Sequence, residues 1–355
     1  MAYTNIDDPS AYFQTLVFTG TGGLNLPVTH TNTGNSDLQP DLIWFKDRSA
    51  GYSHAIMDSS RGRAKVIYPD VVNAEVSSGA NDDLVSFDTD GFKVGAPSNA
   101  NSTNGGTTSK VAWQWKANGG TTSSNTDGTI TSTVQANTDA GFNIVTYTGN
   151  GSNSNFGHGM GEQPDMVIVK NRDSSANWCV WHKDLTSSYY LQLDTTIYQQ
   201  TGPWDGLDPN SGVVFVYSGG LVNASGSDYV AYIFKGKQGY SKFGKYVGNG
   251  SQNGPMVYTG FKPAFVIMKR TDNTGAWHLF DNKRSGYNYA NDVLQPQVGD
   301  AELSGQTYQF VDFLSNGFKV RRATHGPNIS GGAYIYMAFA ENPFTTSTGV
   351  PTTAR

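Results

Sequence analysis

Aromatic side chains outside the clear strand patterns are the residues of this chain best suited to bind a ligand. Aromatic rings on loops stack on sugar rings or anchor contacts with another protein. The alternative is that they fill small cores beneath long loops without touching any ligand. The candidates, expected to be exposed, are Tyr189, Tyr190, Tyr198, Trp204, Tyr287 and Tyr289.

The ionisable residues show no comparable pattern for catalysis. Residues 88–91 resemble part of a calcium loop, but the Glu that normally completes such a loop does not follow, so a hairpin turn is favoured. Asp41 and Asp165 directly follow prolines and are expected to begin strands. The six histidines include no short-spaced pair. We therefore expect no metal, no cofactor and no catalytic residues, and predict that the protein is not an enzyme.

The elements that must position these side chains follow from a pattern that occurs three times. Each time a Gly-x-Gly turn leads to Pro, a short apolar run and Lys, namely Lys46, Lys170 or Lys269. Repetition at this spacing indicates one structural unit used three times. Superposing the repeats through the three lysines puts His54 opposite Trp178 and Trp277, and His182 opposite Asp58 and Asp281. Because the residue types differ among the repeats, a shared role in metal binding is not expected.

Each repeat ends in a strand whose large side chains keep the same parity. A shift of one residue would move them to the other face of the sheet, so the register is strongly specified. This parity makes a core position a better assignment for Trp113 and Trp115 than a sugar-binding platform. The alternating residues are Val111, Trp113 and Trp115; Val230, Tyr232 and Phe234; and Ile335, Met337 and Phe339.

Composition indicates an all-β fold. Charged residues make up 15% of the chain, aromatic residues 12%, and there are 42 glycines among 355 residues; Gly, β-branched and aromatic residues favour strands and turns over helices. We predict three tandem antiparallel modules resembling β-sandwiches or jelly rolls. The expected boundaries are an N-terminal arm (1–12), module 1 (13–117), a linker (118–140), module 2 (141–236), module 3 (237–344) and a flexible tail (345–355).

Charge and hydropathy exclude several partners. The net charge is −5 and there is no basic cluster, so nucleic acid is not an expected partner. No apolar run approaches the roughly 20 residues that span a bilayer, so no membrane insertion is expected. The first residues lack the features of a secretory signal, which predicts synthesis in a cytoplasm. Cys179 lies in an alternating apolar stretch and is expected to be a buried thiol.

Several short motifs are spread along nearly the whole chain; they lie at residues 2–13, 38–46, 142–151, 164–173, 222–226, 240–244 and 336–344. Through these motifs the chain resembles a group of repeat proteins from bacteriophages of marine and other environmental bacteria. The resemblance implies a virion structural protein, either a tail appendage or fibre component or a capsid decoration protein. It also implies other virion proteins as partners, location in the virion, and a homo-oligomer such as a trimer.

Two alternatives stay open at the level of sequence. One is a carbohydrate-binding adhesin that recognises glycans of the host envelope through the aromatic residues. The other is a polysaccharide depolymerase, which would need two carboxylates at a defined separation.

Overall fold

A computed structural model of the chain describes residues 3–24, 26–204, 206–286, 288–304, 310–323 and 326–352. Within these ranges the chain consists almost entirely of strands and loops, and all the paired strands run antiparallel. The predicted all-β class is confirmed. No helix in the described ranges is long and apolar enough to cross a membrane.

The strands of the first repeat, residues 13–117, begin directly after a 3-10 turn at Pro9–Ala11. They are β1 (Phe13–Thr19), β2 (Val28–Thr31), β3 (Leu42–Asp47), β4 (Ala55–Asp58), β5 (Lys65–Val66), β6 (Val76–Ser77), β7 (Leu84–Asp88), β8 (Gly91–Val94) and β9 (Ser109–Trp115), with the short helix α1 (Asn101–Asn104) before β9.

The second repeat, residues 141–236, is preceded by two further strands, β10 (Ser123–Asn125) and β11 (Ser132–Asn137). Its own strands are β12 (Phe142–Thr148), β13 (Ser154–Gly157), β14 (Met166–Asn171), β15 (Cys179–His182), β16 (Tyr189–Gln192), β17 (Gln200–Thr201), β18 (Val213–Val216) and β19 (Asp228–Phe234).

The third repeat, residues 237–344, includes a 3-10 turn at Gly326–Asn328. Its strands are β20 (Ser241–Val247), β21 (Met256–Tyr258), β22 (Phe261–Arg270), β23 (Trp277–Asp281), β24 (Val311–Leu314), β25 (Gly317–Val320) and β26 (Ala333–Pro343).

The order of strands in the main sheet is the same in all three repeats. The first repeat has the order β1-β9-β3-β4, and the third has β20-β26-β22-β23. The second has β12-β19-β14-β15 as the centre of an eight-stranded sheet, which β10 and β11 extend on one side and β16 and β17 on the other. Each repeat therefore places its last strand in the middle of its main sheet, beside the apolar strand whose second-last residue is the motif lysine.

One face of each main sheet packs against a smaller sheet of the same repeat. The smaller sheets have the orders β2-β8-β7, β13-β18 and β21-β25-β24. In the first repeat, for example, Phe45 of the main sheet packs with Phe92 of the small sheet, their ring centres 5.1 Å apart. The other two repeats have equivalent apolar clusters between their sheets.

The opposite faces of the three main sheets pack together in one shared core. The alternating residues of β9, β19 and β26 all belong to it, and Trp113 and Trp115 are 0% and 1% exposed. The core assignment of these two tryptophans is thus confirmed. Because both faces of each main sheet are covered, β3 and β14 are buried along their whole length. Strands that are buried on both faces have continuous apolar sequences, and the first four residues of β3 and of β14 are all apolar.

Phe339 shows how closely the three repeats meet in the shared core. Its ring centre lies 5.1 Å from that of Phe13, 5.7 Å from that of Trp115 and 6.1 Å from that of Phe234. A single side chain of the third repeat therefore contacts aromatic rings of the first and second repeats. We call the cluster formed by the facing main sheets the shared core.

The segment expected as a linker is part of a sheet. Residues 118–140 contain β10 and β11, and β11 pairs with β12 from Ser132 opposite Tyr147 to Asn137 opposite Phe142. The start of the segment is also fixed, because the backbone N–H groups of Gly119 and Gly120 donate to the Asp41 carboxylate at 2.9 Å each. This segment therefore joins the first two repeats rigidly instead of separating them.

The described part of the N-terminal arm is packed on the molecule. Ile6 is 6% exposed and belongs to the shared core. The Tyr3 hydroxyl donates to the Gly260 carbonyl oxygen at 2.5 Å, and the backbone N–H of Ser347 donates to the Asp7 carboxylate. The arm thus connects the shared core to the third repeat and to the beginning of the tail.

Hairpins occur where Asp-Gly and Asn-Gly predict them in the first and third repeats. Strands β7 and β8 pair up to Asp88 opposite Gly91, and β24 and β25 pair up to Leu314 opposite Gly317. Gly91 has φ +109° and a Cβ there would lie 2.1 Å from the His30 carbonyl oxygen, so only glycine fits. The second repeat lacks this sequence signature and, in the described residues, its small sheet has only β13 and β18.

Replacing Phe339 by Ala is expected to destabilise the whole chain by about 3–5 kcal/mol, because it leaves a cavity among rings from all three repeats. Urea unfolding of both proteins measures the difference. Phe344→Ala, at a site 37% exposed, is the matched control and should cost less than about 1 kcal/mol. Equal losses for the two variants would contradict the shared core.

Candidate functional site

The three motif lysines join neighbouring repeats. Each ammonium group is buried and donates to a backbone carbonyl of another repeat as well as to carbonyls near its own strand. The bonds between repeats run from Lys46 Nζ to the Gly299 oxygen (3.0 Å), from Lys170 Nζ to the Val72 oxygen (2.7 Å) and from Lys269 Nζ to the Thr196 oxygen (3.3 Å). The same contact therefore occurs at all three interfaces, which close into a ring.

Burial favours the uncharged amine form of these three lysines. Desolvation lowers the pKa of Lys46 and of Lys170 to about 8 and that of Lys269 to about 7. For Lys269 the Arg270 charge lowers the pKa further. A neutral amine still has two N–H groups, and Lys269 Nζ has two carbonyl acceptors, Thr196 and Arg270. The contact can therefore persist when the amine loses its charge.

A ring nitrogen forms a second contact at each interface. Trp178 Nε1 donates to the Tyr68 carbonyl oxygen at 2.8 Å, and Trp277 Nε1 donates to the Gln192 carbonyl oxygen at 2.9 Å. In the first repeat His54 Nε2 lies 3.2 Å from the Gln295 carbonyl oxygen. The superposition of His54 on two tryptophans thus has a simple cause, because each of the three rings presents an N–H to a carbonyl of the neighbouring repeat.

The other nitrogen of His54 fixes its protonation. Trp44 Nε1 donates to His54 Nδ1 at 2.9 Å, so Nδ1 must be the acceptor and Nε2 must carry the proton. Burial holds the pKa of His54 well below its ordinary value. The ring is therefore neutral and acts as a structural donor between the first and third repeats.

Two interfaces also contain a buried ion cluster. Between the first and second repeats, Arg61 Nε contacts Asp58 at 2.5 Å and its Nη1 contacts Glu75 at 2.7 Å. Glu75 in turn accepts from Arg172 Nε of the second repeat at 2.9 Å. Burial alone would raise the pKa of Glu75, but Arg172 and Arg61 outweigh it and hold this pKa below its usual value. We call these four residues the first ion cluster.

The second ion cluster has the same arrangement between the third and first repeats. Arg284 contacts Asp281 and Glu302 at 2.6 Å each, and Glu302 contacts Arg48 of the first repeat at 2.7 Å. Each cluster also reaches into the shared core: Asp58 accepts from the Tyr232 hydroxyl at 2.7 Å, and Asp281 accepts from Trp113 Nε1 at 2.9 Å.

The interface between the second and third repeats is neutral at these positions. Leu185 and Gln199 stand where the other repeats have arginine and glutamate. At the other two interfaces the backbone N–H of the glutamate, Glu75 or Glu302, donates to a carbonyl oxygen of the neighbouring repeat at 2.8 Å. The same contact is present here, because the N–H of Gln199 donates to the Thr271 carbonyl oxygen at 3.1 Å. His182 replaces the aspartate and lies with Nε2 3.3 Å from the Tyr336 carbonyl oxygen. The hydrogen bonds between backbone groups are thus alike at all three interfaces, whereas the buried ion clusters occur at two of them in the described residues.

The predicted aromatic residues are not brought together by the fold. Tyr198 and Tyr289 are 46% and 44% exposed but belong to different repeats. Tyr189 is half-buried, and Tyr287 lies outside the described residues. The prediction of exposure is wrong for Tyr190 and Trp204, which belong to the core between the sheets of the second repeat and are 8% and 0% exposed.

The position of Trp204 follows from the missing hairpin. In the first and third repeats β7 and β24 form the third strand of the small sheet, but the second repeat has a loop there. Leu207 N–H donates to the Trp204 carbonyl oxygen at 2.9 Å, which turns the loop back over the sheet. The indole packs in the core between the sheets of the second repeat, as the alternative interpretation of these aromatics expected.

A cavity of about 640 Å³ lies beside this loop. Its walls include Tyr190, Pro203 and Leu221, and at its mouth is Tyr217, which is 51% exposed. Tyr217 was not among the predicted site residues. The signal that could have identified it is the Tyr-Ser-Gly-Gly sequence directly after β18, at the start of the loop that leads to the last strand of the repeat.

Other expectations about chemistry have mixed outcomes. Cys179 is 0% exposed, and burial raises its pKa far above the ordinary value of a thiol, which confirms a buried, inert cysteine. Asp165 accepts from the Gly236 backbone N–H at 2.7 Å, much as Asp41 binds backbone N–H groups after β9. In the described ranges no group of three His, Cys, Asp or Glu residues is placed to hold a metal ion.

Comparison with known proteins gives one match. A family model described as a domain of unknown function, DUF7483, matches residues 8–343, which is nearly the whole chain. No curated protein and no solved structure matches the chain.

The interface lysines predict an unusual dependence of stability on pH. The pKa of Lys269 is about 7 in the folded chain against an ordinary 10.5, so between these pH values the unfolded chain binds more protons. The free energy of unfolding contributed by this site therefore rises with pH across that window, by at most about 1.4 kcal/mol per pH unit.

Urea unfolding at pH 7, 8 and 9 of the wild type and of Lys269→Met tests this dependence. The stability of the wild type relative to the variant should increase with pH. Lys245→Met, at a side chain 69% exposed, is the control and should follow the wild type. Parallel curves for wild type and Lys269→Met would exclude an uncharged lysine in the interface.

The first ion cluster should contribute to the free energy of unfolding because its charges are buried. Glu75→Gln leaves the fully buried Arg61 with a single carboxylate and should lower the free energy of unfolding by about 3 kcal/mol or more. Asp272→Asn removes a carboxylate from the exposed pair with Arg270 and should cost less than about 1 kcal/mol. Both are measured by urea unfolding at pH 7; a Glu75→Gln loss as small as that of the control would contradict the assigned role.

Proposed function

We propose that this chain, which belongs to the DUF7483 family, is a structural protein of a bacteriophage particle, either a tail appendage or fibre component or a capsid decoration protein. The observation that carries the proposal is the closure of three equivalent β-rich repeats around one shared core. The same sequence motifs that resemble phage repeat proteins, the apolar run ending in lysine and the alternating last strand, are those that build this core.

The arrangement suits a mechanical rather than a catalytic task. The faces of the main sheets are used for packing, and the buried ionisable groups at the interfaces are used to bond one repeat to the next. Lys46 and Arg48, for example, both contact the third repeat. A unit joined in this way exposes no free sheet face between its repeats and must open several interfaces before any repeat can separate, which suits a protein displayed on a particle outside the cell.

The outward surfaces are available for partners. Each repeat turns its small sheet and the attached loops away from the shared core, so the molecule presents three related surfaces. Other virion proteins would bind one of them and leave the others exposed. A homo-oligomer such as a trimer remains an expectation from the resemblance.

Electron microscopy of purified particles tests the proposal. Antibody against the recombinant chain, detected with gold, should label intact particles, either at regular positions over the capsid or at the tail. Particles from a deletion mutant of the gene are the control and should stay unlabelled. Absence of the chain from purified wild-type particles, by labelling and by mass spectrometry, would overturn the proposal.

A further inference from the structure

The cavity of the second repeat exists because two elements of the first repeat are missing there. The first repeat has β7 at the edge of its small sheet and α1 in the loop that follows β8. The second repeat has neither in its described residues, and the loop from Tyr217 to Asn223 is three residues shorter than the loop from Gly95 to Asn104. Space that the first repeat fills with its own chain is therefore open to solvent.

The loop that borders the cavity is held firmly in place. The Gly220 carbonyl oxygen accepts from Asn171 Nδ2 at 2.9 Å and from the Tyr229 hydroxyl at 3.1 Å. The backbone N–H of Tyr217 donates to the Pro203 carbonyl oxygen at 2.7 Å. A cavity whose walls are already ordered binds a ligand without the loss of entropy that ordering its loops would require.

Glycines keep the cavity open. A Cβ on Gly202 would lie 2.8 Å from the Tyr190 ring. The absence of a side chain therefore lets the backbone at Gly202 approach the ring closely at the wall of the cavity. A Cβ on Gly220 would meet no atom within 4 Å. The space around Gly220, which lines the cavity, is thus free, and a larger side chain there would displace no core residue.

The chemistry of the walls is aromatic and uncharged. Tyr190, Pro203, Tyr217 and Leu221 supply the apolar surface, and Thr201 and Ser218 supply hydroxyl groups. All the described residues that line the cavity are uncharged. The volume of about 640 Å³ lies in the range of ordinary ligand sites.

We propose that this cavity binds a neutral saccharide, with one pyranose ring packed on Tyr217 and its hydroxyl groups bonded at the polar rim. A sugar ring has an apolar face of C–H groups and an equatorial rim of hydroxyls, which matches an exposed tyrosine ring beside Thr201 and Ser218. Anionic glycans are disfavoured because no described lining residue offers a cation. The inference is independent of where the chain sits on a particle.

A glycan array that carries neutral hexose, N-acetylhexosamine and deoxyhexose oligomers together with sialylated and sulfated glycans tests the proposal, using the full-length chain. Binding to at least one class of neutral glycan is expected. Titration calorimetry with the strongest neutral oligosaccharide then compares variants. Tyr217→Ala should weaken binding at least about tenfold, because the ring supplies most of the contact with the sugar.

Two further variants separate loss of the site from loss of the fold. Gly220→Leu adds a larger side chain to the lining of the cavity and should weaken binding while the melting temperature stays close to that of the wild type. Tyr258→Ala removes a tyrosine of the third repeat that is also 51% exposed and should leave binding unchanged. No binding to any neutral glycan, binding only to anionic glycans, or binding that survives both Tyr217→Ala and Gly220→Leu would each overturn the proposal.

Discussion

The structure depends on the burial of both faces of each main sheet. One face packs on the small sheet of its own repeat, and the other packs on the main sheets of the other two repeats. Because side chains alternate along a strand, β9, β19 and β26 can serve both faces only in one register. The strict parity of their large residues is therefore a requirement of the shared core, and the repeats cannot be understood as independent units on a string.

Polar contacts at the edges of the shared core decide how the repeats are oriented. Apolar packing is not directional, whereas an ammonium or indole N–H aimed at one carbonyl oxygen fixes a distance and an angle. The bonds of Lys46, Lys170 and Lys269 provide this at every interface. The two ion clusters strengthen both interfaces of the first repeat. Among the described residues, the interface around Leu185 and Gln199 has no such cluster and relies on packing and on hydrogen bonds to carbonyl groups, such as those from Lys269 and Trp277.

Much of the architecture could be predicted from the sequence, because alternation and turn residues are local signals. The strands, the hairpins at Gly91 and Gly317, and the burial of Cys179, Trp113 and Trp115 are of this kind. Alternation shows that a face is buried but not what covers it, so the closure of all three repeats around one core does not follow from it. The Ser, Thr and Asn residues of β10 and β11 predict a linker, whereas the structure pairs both strands in the main sheet of the second repeat. Trp204 is buried where exposure is predicted, because a missing strand leaves no mark in the sequence to show which side chain covers the sheet in its place.

Differential scanning calorimetry of the full chain tests the central claim, that three repeats form one cooperative unit around a shared core. The account predicts a single transition whose calorimetric enthalpy equals its van't Hoff enthalpy, as expected when all three repeats unfold together. Two or three resolved transitions, or a van't Hoff enthalpy of roughly one third of the calorimetric value, would mean that the repeats unfold separately and would contradict it.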